Sequence, residues 1–442
     1  MDVNVRDYGA LGDDSHDDTA AFRNALAAIQ NTGGTCFVPS GVYKIAPTGI
    51  TNSNVLPAIK SDMRLIGEID SQGTLLSSIH VHDKATKTIV LCSGSGWGIE
   101  KLRVIMPNIY ETDTGAGPIT VSSGDGWKID NCEILNTGHF AIVARGTNFT
   151  ISNNYILCTY ADQAGAHPIH EGVIITLGGG IAPSNGIIHN NLLDGVGFNA
   201  ICNNTNFYSN HIKNHGYNSG IFIGGANEGY SHDNILAYNL AEHGQEGIDD
   251  SQGGVLKQVS GYEVWSPRTL YFQNTATDNC GSGMSVGGLH SIVLFNRSVD
   301  NGKDLFGDDD HVNANGFEAK TRRGNNQGFN ASYSLWIGNF ATDTHAAGHK
   351  TQDYGLNVQD DNIQRMSIVE NTFHGNNLGE GNFRNNAANL TYVKGRDVFY
   401  HLCDLATREK VRQLFNSDLY SITDAQYLIL NKLFANSDLP RP

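Results

Sequence analysis

Proline is scarce in this 442-residue chain, at 10 residues, and charged side chains are few, at 17%. With 39% hydrophobic residues, so little charge excludes a disordered chain and leaves material for a large core. Basic residues are in deficit: 29 Lys and Arg face 45 Asp and Glu, a formal net charge of −16. That balance excludes nucleic acid, whose binding depends on Lys and Arg meeting phosphates. It equally argues against an anionic membrane surface. An acidic polysaccharide is not excluded, because a local basic patch can hold one. No apolar run reaches the ~20 residues of a membrane helix. The opening residues lack the basic and apolar regions of a signal peptide. None of the seven cysteines forms a C-x-x-C pair, which excludes a zinc ribbon or redox motif. Their odd count and wide spacing predict buried free thiols. Cys132, Cys158 and Cys202 fall in strand-like stretches, where Cys acts as a small apolar residue. Turn pairs such as Asn-Gly between alternating strands are mostly missing, which argues against an antiparallel sandwich.

What is abundant is Gly, at 51 residues, together with Asn, a composition that predicts many tight turns needing positive φ. Asp17-Asp18-Thr19 predicts a helix start, continued by Ala20 through Ile29. Leu405 to Phe415 and Ala425 to Phe434 show helical periodicity and predict a helical tail. Between them two short units recur. One is an Asn followed by an apolar strand, beginning at Asn131, Asn154, Asn191, Asn210, Asn234 and Asn371. The other is a Gly followed by alternating apolar residues, beginning at Gly172, Gly220, Gly247, Gly283, Gly316 and Gly355. Several units lie 19–24 residues apart. Self-similarity at that period, carried by strands, predicts a β-solenoid.

The opening VNVRDYGALGDDSHDDTAAFRNAL, followed by GGTCFVPSGVYKI, resembles the N-terminus of pectate-lyase-superfamily β-helices. That group includes polygalacturonase-type hydrolases, polysaccharide lyases, alginate epimerases and phage tailspikes. The resemblance implies an all-β fold, a right-handed parallel β-helix with an N-terminal capping helix and a C-terminal helical tail. The domains expected are a cap over 1–45, a catalytic β-helix over 46–395 and a tail over 396–442. Asp13, Asp14, Asp17 and Asp18 then belong to the cap and not to catalysis. The resemblance also implies a polysaccharide partner, a secreted or extracellular protein of bacterial or phage type, and a trimer if tailspike-like.

Strand alternation places the residues one and three after each Gly inward and those two and four after it outward. Ile221/Ile223, Met284/Val286, Phe317/Ala319 and Leu356/Val358 are then core. The solvent-facing stripe runs through Phe222, Asp249, Ser285, Glu318 with Lys320, and Asn357. Outward carboxylates add nothing to the core, so Asp249, Asp250, Glu318 and Lys320 are the catalytic candidates. Strands stack ~4.8 Å apart, which puts Asp249 and Glu318 roughly 9–10 Å apart if Ser285 lies between. Inverting glycosidases hold their carboxyls ~6.5–9.5 Å apart. Asp250, inward by alternation, must be paired, carry a raised pKa or sit where the strand bends.

Asp249-Asp250, Gly281 to Gly287 and Asn315 to Thr321 resemble, in order, the paired aspartates, the Gly-His-Gly strand and the Asn-Gly-x-Arg-Ile-Lys-Thr strand of polygalacturonase-type hydrolases. Ser282 replaces the family His, Glu318 its Arg, and Phe222 its third Asp. The lyase or epimerase alternative uses Lys320 as the base. A non-catalytic carbohydrate-binding spike is the other alternative. Glu246, Arg322, Arg323, Trp265, His345 and Lys350 are candidate substrate contacts, with loops near 256–269, 302–314 and 340–353 as groove walls. No cofactor or metal is expected for a hydrolase. A lyase would take Ca2+, with Asp308-Asp309-Asp310 as candidate oxygen donors. His167, His170 and Glu171 carry at most a weak metal spacing.

Overall fold

The computed structural model describes residues 1–46, 55–82, 88–106, 117–137, 140–158, 172–216, 219–224, 231–245, 247–249, 254–256, 259–302, 314–321, 330–346, 350–358, 363, 366–369, 371–383 and 390–391. They divide into two compact units. One holds the described residues of Met1–Thr205, Ser209–Asn218 and Gly247–Val255. The other holds Asn206–Tyr208 and the described residues of 219–246 and from 256 onward.

Both units are right-handed parallel β-helix; from Leu56–Ile59 onward the strands enter three parallel sheets in rotation, while the four strands before it alternate between two of them. In the first unit Lys128–Asp130, Glu133–Leu135 and Phe140–Ala144 make one coil, each pairing in parallel with its counterpart in the next. In the second unit Leu270–Phe272, Thr275–Thr277 and Met284–Val286 do the same. The Asn units open second-sheet strands, except Asn234, which precedes the first-sheet strand Ile235–Ala237. The Gly units open third-sheet strands, with one exception. Gly247–Asp249 pairs with Gly254–Leu256 in a separate two-stranded sheet.

The turn chemistry differs from expectation by one residue. Positive φ falls on Asn153, Asn190, Tyr238, Gln273 and Phe295, each just before a buried Asn. Of the Asn that open repeat units, only Asn131 itself takes that conformation. Asn234 donates to Ser266 Oγ, and the others build ladders. In the first unit Asn154 Nδ2 donates to Asn191 Oδ1 and Asn191 Nδ2 to Asn210 Oδ1, both at 2.9 Å. In the second, Asn239, Asn274, Asn296, Asn339 and Asn371 continue the same pattern at 2.8–3.0 Å. Each also donates to a backbone carbonyl of an earlier coil, as Asn296 does to Tyr271. These carboxamides satisfy backbone groups that a two-residue corner would otherwise bury unpaired. Gly283 and Gly316 are required by close approach: a Cβ on Gly283 would lie 2.6 Å from the Gly316 carbonyl oxygen.

The predicted helix is present as Thr19–Ile29, with Phe22, Ala25, Leu26 and Ile29 buried. Its N-cap residue Asp18 turns back to accept from the amides of Leu11 and Gly12, and Asp17 accepts from Thr19 N instead. Cys36, Cys92, Cys132, Cys158, Cys202 and Cys280 are buried free thiols; burial pushes those of Cys36, Cys132 and Cys202 up to about 12. Cys403 and the segments expected as tail helices, 405–415 and 425–434, lie outside the described residues. Among those described, no helix is long and apolar enough to cross a membrane.

Candidate functional site

In the second unit the outer face of the third sheet presents one side chain per strand in register. The row runs Phe222, Glu263, Ser285, Glu318, Asn357 and Asn382. The inward assignment holds throughout: Ile221, Ile223, Met284, Val286, Phe317, Ala319, Leu356 and Val358 are all fully buried. The outward row needs one correction. Glu263, on Tyr262–Val264, occupies the place expected for Asp249. Asp249 belongs to the separate two-stranded sheet, and its side chain lies outside the described residues, as do Glu246 and Asp250. The error came from treating 256–269 as a loop. Gly261-Tyr262-Glu263-Val264 carries the same Gly-led alternation as Gly283-Met284-Ser285-Val286, and that signal was sufficient to find Glu263. The segment 340–353, also expected to be a loop, contains the second-sheet strand Phe340–Thr342.

The centre of the stripe is covered, not solvent-facing: Ser285 is 1% and Glu318 2% exposed, while Phe222 and Glu263 are partly exposed. Glu318 Oε2 accepts from Ser285 Oγ at 2.7 Å, and Oε1 accepts from Asn315 Nδ2 at 2.8 Å. Lys320 Nζ lies 2.8 Å from Glu318 Oε2. Burial is the largest single influence on Glu318 and pushes its carboxyl up. The charge of Lys320, its hydrogen bond and those of Ser285 and Ser282 outweigh burial and hold the group below its ordinary value. Burial likewise pulls the Lys320 ammonium down. The charges of Glu318 and Glu263 and the hydrogen bond to Glu318 outweigh it and leave Lys320 above its ordinary value. At neutral pH both groups are charged. A carboxylate in that state accepts a proton or stabilises positive charge; it does not donate. An ammonium so held binds anions well and abstracts protons poorly. The pair also supplies the packing reason for a lysine here that the sequence did not reveal.

Glu263 is the less buried acid of the stripe. Its Oε1 accepts from Trp265 Nε1 at 2.9 Å, and its Oε2 from Ser219 Oγ at 3.3 Å. Trp265, expected as a sugar contact, is only 9% exposed and lies against Gly287, whose added Cβ would sit 2.1 Å from the ring. It acts as packing that orients Glu263. His345 and Lys350 join a different group: His345 Nδ1 is 2.7 Å from Asp343 Oδ1, and Lys350 donates to the Asp343 carbonyl. Arg322, Arg323, His167, His170, Glu171 and Asp308 to Asp310 lie outside the described residues.

Comparison with known proteins follows the fold. The mannuronan C5-epimerase AlgE2 of Azotobacter vinelandii is 44% identical over 68 residues, 15% of this chain and 7% of that protein. Alginate lyase 7 of the same organism is 40% identical over 68 residues, 15% of this chain and 8% of that protein. The chain therefore matches under a tenth of the length of each of these two curated relatives. Among solved structures, the A-module of the Azotobacter vinelandii mannuronan C-5 epimerase AlgE6 superposes with a TM-score of 0.57 at 18% identity, covering 86% of this chain and 96% of that one. The Dettilon tailspike protein gives 0.61 at 16% identity, covering 88% and 70%. Both share the fold. Residues 2–255 match the family described as rhamnogalacturonase A/epimerase, pectate lyase-like, a match that ends before Glu263 and Glu318. That match spans more than half of the sequence, and the chain belongs to the rhamnogalacturonase A/epimerase, pectate lyase-like family.

Proposed function

We propose that this protein is a carbohydrate-active enzyme acting on a polysaccharide, with the Glu263–Ser285–Glu318–Lys320 stripe as its reactive surface. The observation that carries the reading is the register itself. Two acids on the outer face of one sheet, one strand apart from each other's neighbour, have Cα positions roughly 9–10 Å apart by strand spacing. Inverting hydrolysis uses carboxyls ~6.5–9.5 Å apart with a water between them. In that reading Glu318, held ionised, is the base and Glu263 the acid, while Lys320 carries a positive charge toward an anionic sugar group. Uronate epimerase or lyase chemistry is the second reading, favoured by the names of the curated relatives. There Lys320 neutralises the uronate carboxylate; serving as the base would require it first to lose the proton that Glu318 holds on it.

The test is a screen of mannuronan, polygalacturonate, rhamnogalacturonan and neutral glucans. It is read by reducing ends, by ultraviolet absorbance of unsaturated uronate, and by NMR of C5 configuration. E263Q and E318Q should each lower kcat at least ~10²-fold, the lower bound for general acid–base catalysis. D249N and D250N run beside them. If D249N abolishes turnover while E263Q is neutral, the stripe assignment is wrong. Wild-type protein inert on every substrate by all three readouts would sink the enzyme reading.

A further inference from the structure

In the first unit, a second cluster stands apart from the stripe. The strand Ser77–Val81 turns Ile79 and Val81 into the core, and alternation sends His80 and the next outward residue, His82, to the outer face. Asp14 reaches them from two strands away. Its own strand, Asp13–Asp17, is irregular: Asp13 pairs with Val42 and Asp17 with Lys44, so four residues of chain advance against two. Asp14 takes a φ of 60° within that excess. Its Oδ1 lies 3.1 Å from His80 Nδ1 and 3.4 Å from His82 Nε2. The three ligand atoms all fall within 4.8 Å of one another. Lys44 stands in register with His80, and its charge also bears on Asp17.

We infer that Asp14, His80 and His82 form a binding site for a late first-row divalent transition ion, of which Zn2+ is the representative. A tetrahedral ion with bonds of ~2.0–2.2 Å holds its ligand atoms about 3.3–3.5 Å apart. The Asp14 separations lie at or just under that spacing, and the two imidazole nitrogens lie within 4.8 Å of each other. Two imidazoles and one carboxylate suit Zn2+ or its neighbours, and leave one coordination position open for water. The donor set does not suit Ca2+, which takes 6–8 oxygens. Among the described residues, neither a backbone N–H nor any other side chain binds the Asp14 carboxylate; its partners are the two imidazoles alone, with His82 Nε2 within hydrogen-bond reach. All three side chains are partly exposed, at 45% for Asp14, 25% for His80 and 42% for His82, so an ion in solvent reaches them.

The other His–Asp group makes the contrast. Asp343 accepts from the amides of His345, Thr351 and Gln352, and Asp300 from Thr344 N and Oγ1. Those carboxylates tie down turns with the protein's own donors, and no ion is needed to explain them.

The experiment titrates chelator-stripped full-length protein with Zn2+ by calorimetry, and with Co2+ by visible absorption. Wild type should take up one equivalent saturably, gain a tetrahedral Co2+ spectrum and melt at a higher temperature with Zn2+ present. H80A/H82A and D14N should each weaken uptake more than about tenfold, since even outer-shell losses cost 10–100-fold. H82Q, altered at an exposed position, gives the same weakening without risk to folding, checked by circular dichroism. H345A should bind as wild type. The inference is overturned if wild type shows no saturable uptake, if H80A/H82A or H82Q binds as wild type, or if H345A is the variant that loses the ion.

Discussion

The Glu318–Lys320 pair shows how one residue's charge state depends on its neighbours. Removing one member of a buried pair strands the other, which typically costs 3–5 kcal/mol, whereas replacing both by apolar or neutral groups of like volume is often near neutral. K320A should therefore lower the urea midpoint of unfolding far more than the double variant E318Q/K320M. A double variant as unstable as K320A would show that the pair itself, and not the orphaned charge, is what matters. The pH dependence follows from the two shifts. Glu318 is held below 4.5, so its contribution is present above that value and is lost as pH falls through its lower folded pKa. Lys320 is held above 10.5, so its contribution is present below that value and is lost as pH rises through the folded pKa. Unfolding free energy measured against pH should show a neutral plateau with a loss on the acid side, and E318Q should remove part of that acid loss. Glu318 was legible in the sequence because Gly316 and strict alternation fix its face. Its ion pair was not, because alternation places Lys320 on the same face but says nothing about burial.

The two-residue corner between first- and second-sheet strands is the recurring element. A positive-φ residue turns the chain, and the Asn after it caps the backbone of the neighbouring coil. The reading that Asn itself would take the left-handed conformation follows from its intrinsic tolerance. The structure hands that conformation to residues as unsuited as Tyr238 and Phe295, because the next position must keep a carboxamide buried and bonded. Asn296 donates to Asn339 and Tyr271, and accepts from the backbone and side-chain nitrogens of Asn274. N296A takes one bond from each of these four atoms; Asn339 Oδ1 and Asn274 Nδ2 keep another partner, while the buried Asn274 amide loses its side-chain acceptor, at ~1–3 kcal/mol for a buried group left unsatisfied. Asn371, at the last described step of the same ladder, is half-buried, and N371A should cost clearly less in the same urea titration. Equal costs would mean the ladder is not the source of the stability. The repeat was readable from the Asn and Gly units because they open the second and third sheets. The first-sheet strands, such as Gly98–Glu100 and Thr150–Ser152, carry no shared opening residue, so the sequence does not mark them.

At the scale of the whole chain, the solenoid was legible because many coils repeat the same corner, while the site was only half legible. Its sheet and its face could be read, but 247–250 and 261–264 carry the same Gly-led alternation, and pairing puts 261–264, not 247–249, in the third sheet. Charge offers a test that does not depend on which acid reacts. The chain carries a net −16. An acidic enzyme repels a polyuronate at long range, and salt screens that repulsion: the Debye length shrinks from about 30 Å at 0.01 M to about 8 Å at 0.15 M ionic strength. For a uronate polymer, raising NaCl over that range should lower KM and leave kcat nearly unchanged. For a neutral glycan, KM should stay flat. The opposite slope, a uronate KM that rises with salt, would mean that attraction at a local cation such as Lys320 outweighs the field of the whole molecule. K320A should then abolish the slope. Measured with wild type and K320A on one charged and one neutral substrate, the sign of the salt dependence separates an anionic from a neutral substrate class without relying on product chemistry.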